Sequence, residues 1–400
     1  MFRPILLSVL TAFLLAACSS GKSALKRGDF DLAVKKASQR LNQPRLLSKR
    51  GHELAPLVLR DAFKLAYDQH QATIRRFSSA NPVNSSQTPT FRWETVYQEY
   101  GQLQALTDNA RAGNCAACAE WLATYPTSYV EQQREIRQLA AADRYDVAEQ
   151  AFAYREDDRL AAKDAYLNYR KAIDWVPDFR QARGKAEDAL PFAILRVVIE
   201  PLSPSHELDR SDSNELQRLI SRQIGQQTAP STFVRFYPPD TRGSEFVPGD
   251  GHPIHQAIQM VVSGYTPSLE NTSSTCTTVY SNQEYKVGEK KINDSTKVDI
   301  KEKVKGTLTT YRREIHASLD MRMRAIDTQT GKVLWEEPIG ETRNWATEWQ
   351  TFSGDDRALN GQSLATANAF PPSRWQLLDS MRDDLASSIA SRLRSRYSRE

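Results

Sequence analysis

The sequence predicts an α+β multidomain protein: an N-terminal all-α helical-repeat domain, then an α+β domain with a mainly antiparallel sheet and a C-terminal amphipathic helix. Three patterns predict it. Up to about residue 190, apolar residues recur at spacings of three and four, the period of one helix face. From about residue 191 the period shortens towards two, the mark of strands with one wet face. Trp375, Leu378, Met381, Leu385, Ile389 and Leu393 return to helical spacing at the end of the chain.

The elements follow in order. Leu57, Ala62, Leu65 and Ala66 begin one helical stripe, and Trp93, Val96, Tyr97, Tyr100, Leu103 and Leu106 make another. Ser79 to Thr90, with two prolines and several serines, reads as the loop between them. Ile194 to Ile199 is a β-branched run ended by Pro201, a strand. Asn214 to Gln226 is an amphipathic helix, and Phe233 to Tyr237 is a second strand ended by Pro238-Pro239. Ile254 to Met260 reads as a short helix leading into a third strand at Val261-Val262. Ile315, Ala317, Leu319, Met321, Met323 and Ala325 alternate with polar residues, Asp327 to Gly331 supplies a turn, and Val333 to Trp335 starts the return strand. Glu284 to Lys305 holds seven lysines and reads as a solvated hairpin or loop, or a surface that touches anionic glycan or lipid headgroups.

Composition narrows the function. With 53 Lys+Arg against 49 Asp+Glu over 400 residues, the net charge is only +4, so a dedicated nucleic-acid surface is disfavoured. The long apolar run from Ile5 to Ala17 follows the cationic Arg3 and is too short to span a bilayer comfortably. Leu15-Ala16-Ala17-Cys18 closes that run and resembles the lipobox of bacterial lipoproteins. The resemblance implies a signal peptide at residues 1–17, lipid attachment at Cys18 and a lipidated tether at residues 18–23. Ser19, in place of the Asp that retains such lipoproteins at the inner membrane, implies outer-membrane anchoring. The absence of acidic residues from Ser19 to Ser23 favours a body in the periplasm over one on the cell surface. Gly21-Lys22-Ser23 mimics the end of a phosphate-binding loop, but Ala16 stands where the leading glycine belongs.

Within residues 24–190, Tyr145-Asp146-Val147-Ala148 and Phe179-Arg180-Gln181-Ala182 lie 34 residues apart, with Trp175-Val176-Pro177-Asp178 as a helix-helix turn. This segment resembles tetratricopeptide repeats, which implies envelope protein partners bound by the helices. Phe30-Asp31-Leu32-Ala33 is out of phase with that period, so a generic antiparallel bundle stands as the alternative. Residues 191–400 form the α+β domain. Its element order, with Asp327-Thr328-Gln329-Thr330-Gly331-Lys332-Val333-Leu334-Trp335, resembles the periplasmic domain of the curli secretion channel family over about residues 191–397. A channel subunit needs lipid-facing apolar strands of about 9 to 11 residues, and the lysine-rich segment does not supply them.

No GxSxG, HExxH or GxGxxG motif is present, and no catalytic, cofactor-binding or metal-ligating residue is assigned. His252 and His255 beside Asp250 have ligand-like spacing, but Pro253 opposes a helix that would make them converge. Gly354-Asp355-Asp356-Arg357 reads as a charged turn. Cys115 and Cys118 read as a structural pair, oxidised across one helical turn in a disulfide-permissive compartment, with Cys276 left over. The expected function is a non-enzymatic scaffold or assembly factor. A secretion-channel subunit and an envelope hydrolase without a recognisable motif are the alternatives, and the oligomeric state is open.

Overall fold

The computed structural model describes residues 20–44, 49–79, 91–226, 228–237, 251–293, 296–367 and 370–400. Residues 1–17 and Cys18, which carry the signal-peptide and lipid-attachment expectations, lie outside them, as does most of the Ser79–Thr90 loop. The chain divides into two compact units at Ala193 and Ile194, three residues beyond the expected boundary.

The first unit is helical: α1 (Lys22–Arg27), α2 (Phe30–Leu41), α3 (Lys49–Ser79), α4 (Arg92–Arg111), α5 (Ala116–Leu122), α6 (Val130–Phe152), α7 (Arg159–Trp175) and α8 (Ala182–Ala193). Lys22 and Ser23, the last residues of the segment expected as a tether, belong to α1. Gly21 caps that helix at φ 81°, where a Cβ would come within 2.5 Å of the Ala33 carbonyl oxygen. Glycine alone fits both the dihedral and the close approach of α2.

In α3 the buried face is Ala55, Val58, Leu59, Ala62, Phe63, Ala66 and Ile74. Of the expected stripe, Ala62 and Ala66 are buried, whereas Leu57 and Leu65 are 52% and 45% exposed. The α4 stripe buries Val96, Leu103 and Leu106 as its spacing requires. Further along, α6 packs on α7 and α7 on α8 through fully buried alanines, among them Ala148, Ala165, Ala172 and Ala189. Small side chains let those helix axes approach closely. The two members of the 34-residue interval hold different places, Tyr145 inside α6 and Phe179 in the turn before α8, with their rings 5.9 Å apart edge-on. Arg144 on α6 ties three helices together, donating to both carboxylate oxygens of Glu94 at 2.6 and 3.0 Å and to Asn168 at 2.9 Å. Burial pushes the Glu94 carboxyl up, but the bonds from Arg144 and Trp175 outweigh it and hold the group below its usual range.

His70 is a buried histidine of this unit. Its Nδ1 lies 2.6 Å from Glu99 and its Nε2 3.2 Å from Asp31, so one imidazole bridges α2, α3 and α4. The Asp31 bond raises the His70 pKa, burial lowers it by less than the carboxylates together add, and Glu99 reinforces the rise. A raised folded pKa means that the imidazolium stabilises the fold in full below about pH 6.5, and that this contribution is lost as pH climbs through the folded value. Helical melting followed by circular dichroism is therefore expected to weaken with rising pH in that window. His70→Gln is expected to flatten the dependence and to cost about 1 to 3 kcal/mol at low pH by leaving Glu99 short of its donor. A wild-type profile independent of pH would contradict the assignment.

The second unit contains β1 (Leu195–Ile199), α9 (Arg210–Gln226), β2 (Val234–Tyr237), β3 (Gln256–Asn293), β4 (Thr296–Asp327), β5 (Val333–Gly354), a 3₁₀ turn (Asp356–Leu359) and α10 (Arg374–Tyr397). The sheet order is β2-β1-β3-β4-β5. Strand β1 pairs in parallel with β2 and β3, and α9 makes the crossover; β3, β4 and β5 are antiparallel. The expected helix at Ile254–Met260 is instead the start of β3. Pairing of Gln256–Ile258 with Val197–Ile199 on one side and Ala325–Asp327 on the other overrides the local preference. The lysine-rich segment is a hairpin rather than a loop, closed by Lys286 on Asp299 at 2.6 Å and Lys297 on Glu289 at 3.2 Å.

The core of this unit sits between the sheet and the two helices. Ala317, Leu319, Met321, Met323 and Ala325 line one face of β4, and Met381, Leu385, Ile389 and Leu393 project from α10. A capping box starts α10: Ser373 Oγ accepts from Gln376 N–H, and Gln376 Oε1 accepts from Ser373 N–H at 2.8 Å. Arg382 on α10 donates to Asp212 on α9 at 2.7 Å with both side chains nearly buried, and also pairs with Asp379.

Candidate interaction surface

Beyond the end of the core, β3, β4 and β5 continue as a three-stranded blade. Tyr311 to Gly306 pair with Trp349 to Gly354 on one side, and Ser274 to Val279 with Tyr311 to Gly306 on the other. Among the described residues no α-helix covers either face at this level, so side chains there are half-buried or exposed. The third strand stops at Gly354, whose φ of 134° suits glycine. A Cβ at that position would come within 2.5 Å of Gly306 Cα. The chain then turns through Asp355, which caps the 3₁₀ turn by accepting from Arg357 N–H at 3.1 Å. The Arg357 guanidinium holds its carboxyl down at about 2. The charged turn expected at Gly354–Arg357 is therefore a capping device.

Just past the N-terminal end of α10, one blade face forms a groove of about 580 Å³. Its floor is Trp345, Thr347 and Trp349 from β5 with Arg313 from β4, and its wall is Ala365–Ala367 with Phe370 and Pro371. Tyr311 stacks on Trp349 with ring centroids 5.2 Å apart and planes 8° from parallel. Arg313 is oriented by Glu270 of β3 at 2.7 Å, a bond that holds the Glu270 carboxyl below its usual range. The wall segment is fastened to the strand at one residue: Gln350 N–H donates to the Ala365 carbonyl at 2.8 Å, and Ala365 N–H donates to Gln350 Oε1 at 3.1 Å. Phe370 is 97% exposed. No protein family and no curated protein matches this chain. What the groove can do is thus read from its own chemistry: rigid aromatic faces, one oriented guanidinium and backbone groups of a neighbouring strap suit an extended segment better than a small polar substrate.

The residues singled out from sequence fall elsewhere. Cys115 and Cys118 are joined by a disulfide that pins the turn between α4 and α5, where Asn42 bonds both Ala112 and Asn114 at 2.8 Å. Cys276 is exposed on β3. His255 is absorbed by the sheet: its N–H donates to Arg196 carbonyl at 2.9 Å and its Nδ1 accepts from Arg196 N–H at 3.1 Å. Asp250 lies outside the described residues, and among those described no three His, Cys, Asp or Glu side chains converge as metal ligands. The turn at Asp327–Gly331 is built as its residues imply, with Asp327 Oδ1 accepting from Thr330 N–H at 2.7 Å and from Gln329 N–H at 3.1 Å. Trp345 and Trp349 were not reached from sequence, although their spacing of four on an alternating run was a usable signal.

Proposed function

We propose that the chain is a non-enzymatic scaffold or assembly factor of the bacterial envelope, anchored in the outer membrane through lipidated Cys18 with its body in the periplasm. The aromatic groove of the blade carries the contact role. Large rigid aromatics beside an oriented arginine are the side chains that dominate protein-protein binding energy; here Trp345 packs on the edge of the core, and half-buried Trp349, stacked on Tyr311, lies beyond it. The helical unit supports the same reading as a second contact surface for envelope proteins. Arg312, Glu314 and Glu348 on one blade face and Arg313 and Glu270 on the other favour an aqueous role for the blade over a lipid-facing one.

A photo-cross-linking residue at Thr347, irradiated in intact envelopes, is expected to give discrete protein adducts. Trp349→Ala is expected to weaken them about tenfold or more, the loss of roughly 2 kcal/mol typical of a central aromatic. Absence of protein adducts, or hydrolysis of a cell-wall polymer that depends on one carboxylate, would turn the reading towards an enzyme.

A further inference from the structure

Among the described residues, the outer edge of β3 is covered at its core end, touched by Asn360 at Tyr280–Asn282 and uncovered between them. On the core side, β1 covers Gln256–Ile258, and residues 203–207 continue the cover: Ser203 bridges Val261, Ser205 Oγ donates to the Val262 carbonyl at 2.8 Å, and Tyr265 N–H donates to Glu207 at 3.3 Å. On the far side Asn360 touches the edge, donating to the Tyr280 carbonyl at 3.0 Å and accepting from Asn282 N–H at 2.6 Å. Between these, Thr266–Val279 pairs with β4 on its inner side and with nothing on its outer side among the described residues of this unit. Unpaired backbone donors and acceptors in a row are a template for another strand.

The sequence of that stretch makes the template usable. Asn271 to Val279 reads Asn-Thr-Ser-Ser-Thr-Cys-Thr-Thr-Val, without a charge, a proline or a glycine. Its threonines favour strand and pair well across strands. The opposite edge of the blade, Ala346–Gly354 of β5, carries Glu348 and is occupied by the strap at Gln350, while Glu336, Glu337, Pro338, Glu341 and Arg343 guard the same strand at core level. Charges and proline are how proteins blunt an edge. A head-to-tail ring would need both edges, whereas a twofold dimer needs only one, used twice.

We propose that Asn271–Val279 of β3 pairs antiparallel with the same segment of a second copy of this chain, giving a continuous six-stranded sheet about a twofold axis. The run is self-complementary because it is neutral throughout, so no side chain meets a like charge. Centred on Thr275, its midpoint, the register puts Thr272 opposite Thr278 and Glu270 opposite Tyr280 rather than opposite itself. Nine residues make about 30 Å of ladder. The exposed Cys276 then lies diagonal to its counterpart, about 7 to 8 Å away across the axis. This deepens the scaffold reading by naming one partner, and it is independent of what fills the groove.

The full chain, purified in mild detergent, is expected to sediment as a dimer. A short bis-maleimide is expected to link it covalently through Cys276, with Cys276→Ser as the control that abolishes the link. Thr275→Lys, which sets two ammonium groups opposite each other, combined with Thr277→Lys, is expected to raise the dissociation constant about tenfold or more. Its circular dichroism spectrum and its Thr347 adducts are expected to stay unchanged, and its melting is expected to lose the concentration dependence of a dimer. A monomer at the highest attainable concentration, or an oligomer that survives both lysines, overturns the proposal. Loss of Thr347 adducts with the dimer intact would count against the groove reading alone and leave the pairing standing.

Discussion

Cys18→Ser is expected to move the protein from the membrane pellet to the soluble fraction and to abolish palmitate labelling. The lipobox resemblance makes the Cys18 sulfur the point of diacylation, and a serine hydroxyl does not serve in its place. Each buried methylene contributes about 0.8 kcal/mol. One chain alone anchors only marginally and a second makes anchoring stable, so loss of the diacyl group removes essentially all the binding. No helix among the described residues is long and apolar enough to cross a membrane. The net charge of +4 is spread over 400 residues, too thin to hold the body to anionic headgroups. A Cys18→Ser protein that still pelleted with outer membranes and labelled with palmitate would exclude the lipoprotein reading, whereas pelleting without label would point to retention by a protein partner.

How much of the fold was legible depended on how each element is buried. The alternation from Ile315 to Ala325 was readable because α10 covers one face and water the other, so period two is enforced residue by residue. Strand β3 was not readable past Val262. From Thr266 to Gln283 both of its faces are largely solvated, and no burial imposes alternation on them. Its length follows instead from pairing with β4, contacts as far apart in sequence as Gln256 and Asp327. The groove went unread because the return strand was followed only to Trp335, although burial on β5 continues to alternate through Trp345 and Trp349. In α3 Ala62 and Ala66 of the expected stripe are buried and Leu57 and Leu65 are not, because alanines and Phe63 do the packing while the two leucines stay outside. The His70 cluster had no sequence signal: Asp31 and Glu99 are 39 and 29 residues away from it. The Cys115–Cys118 pair, three residues apart, needed only local geometry.

Leu319→Ala is expected to destabilise the sheet unit by about 2 to 5 kcal/mol, and Leu269→Ala by less than about 0.5 kcal/mol. Both leucines belong to the same antiparallel ladder, Leu319 on β4 and Leu269 on β3. They differ in what lies above them. Leu319 is fully buried in the cluster that includes Met321, Leu385 and Ile389, so truncation forfeits the transfer energy of the removed atoms and leaves a cavity that a close-packed core does not fill. Leu269 is 64% exposed beside a register shift between Thr266 and Leu269, and truncation there trades apolar surface already in water. Ladder hydrogen bonds are common to both sites and exchange with bonds to water on unfolding, each contributing only about 1 kcal/mol net. A domain typically has 5 to 15 kcal/mol in all, so the core-facing third of the strands, not their length, holds the unit folded. The blade is then free to carry contact residues at little cost to stability. Denaturant unfolding of the full chain, with the two variants measured side by side, decides it. Equal losses at Leu319 and Leu269 would mean that the blade is covered in solution and that its exposed faces are already an interface.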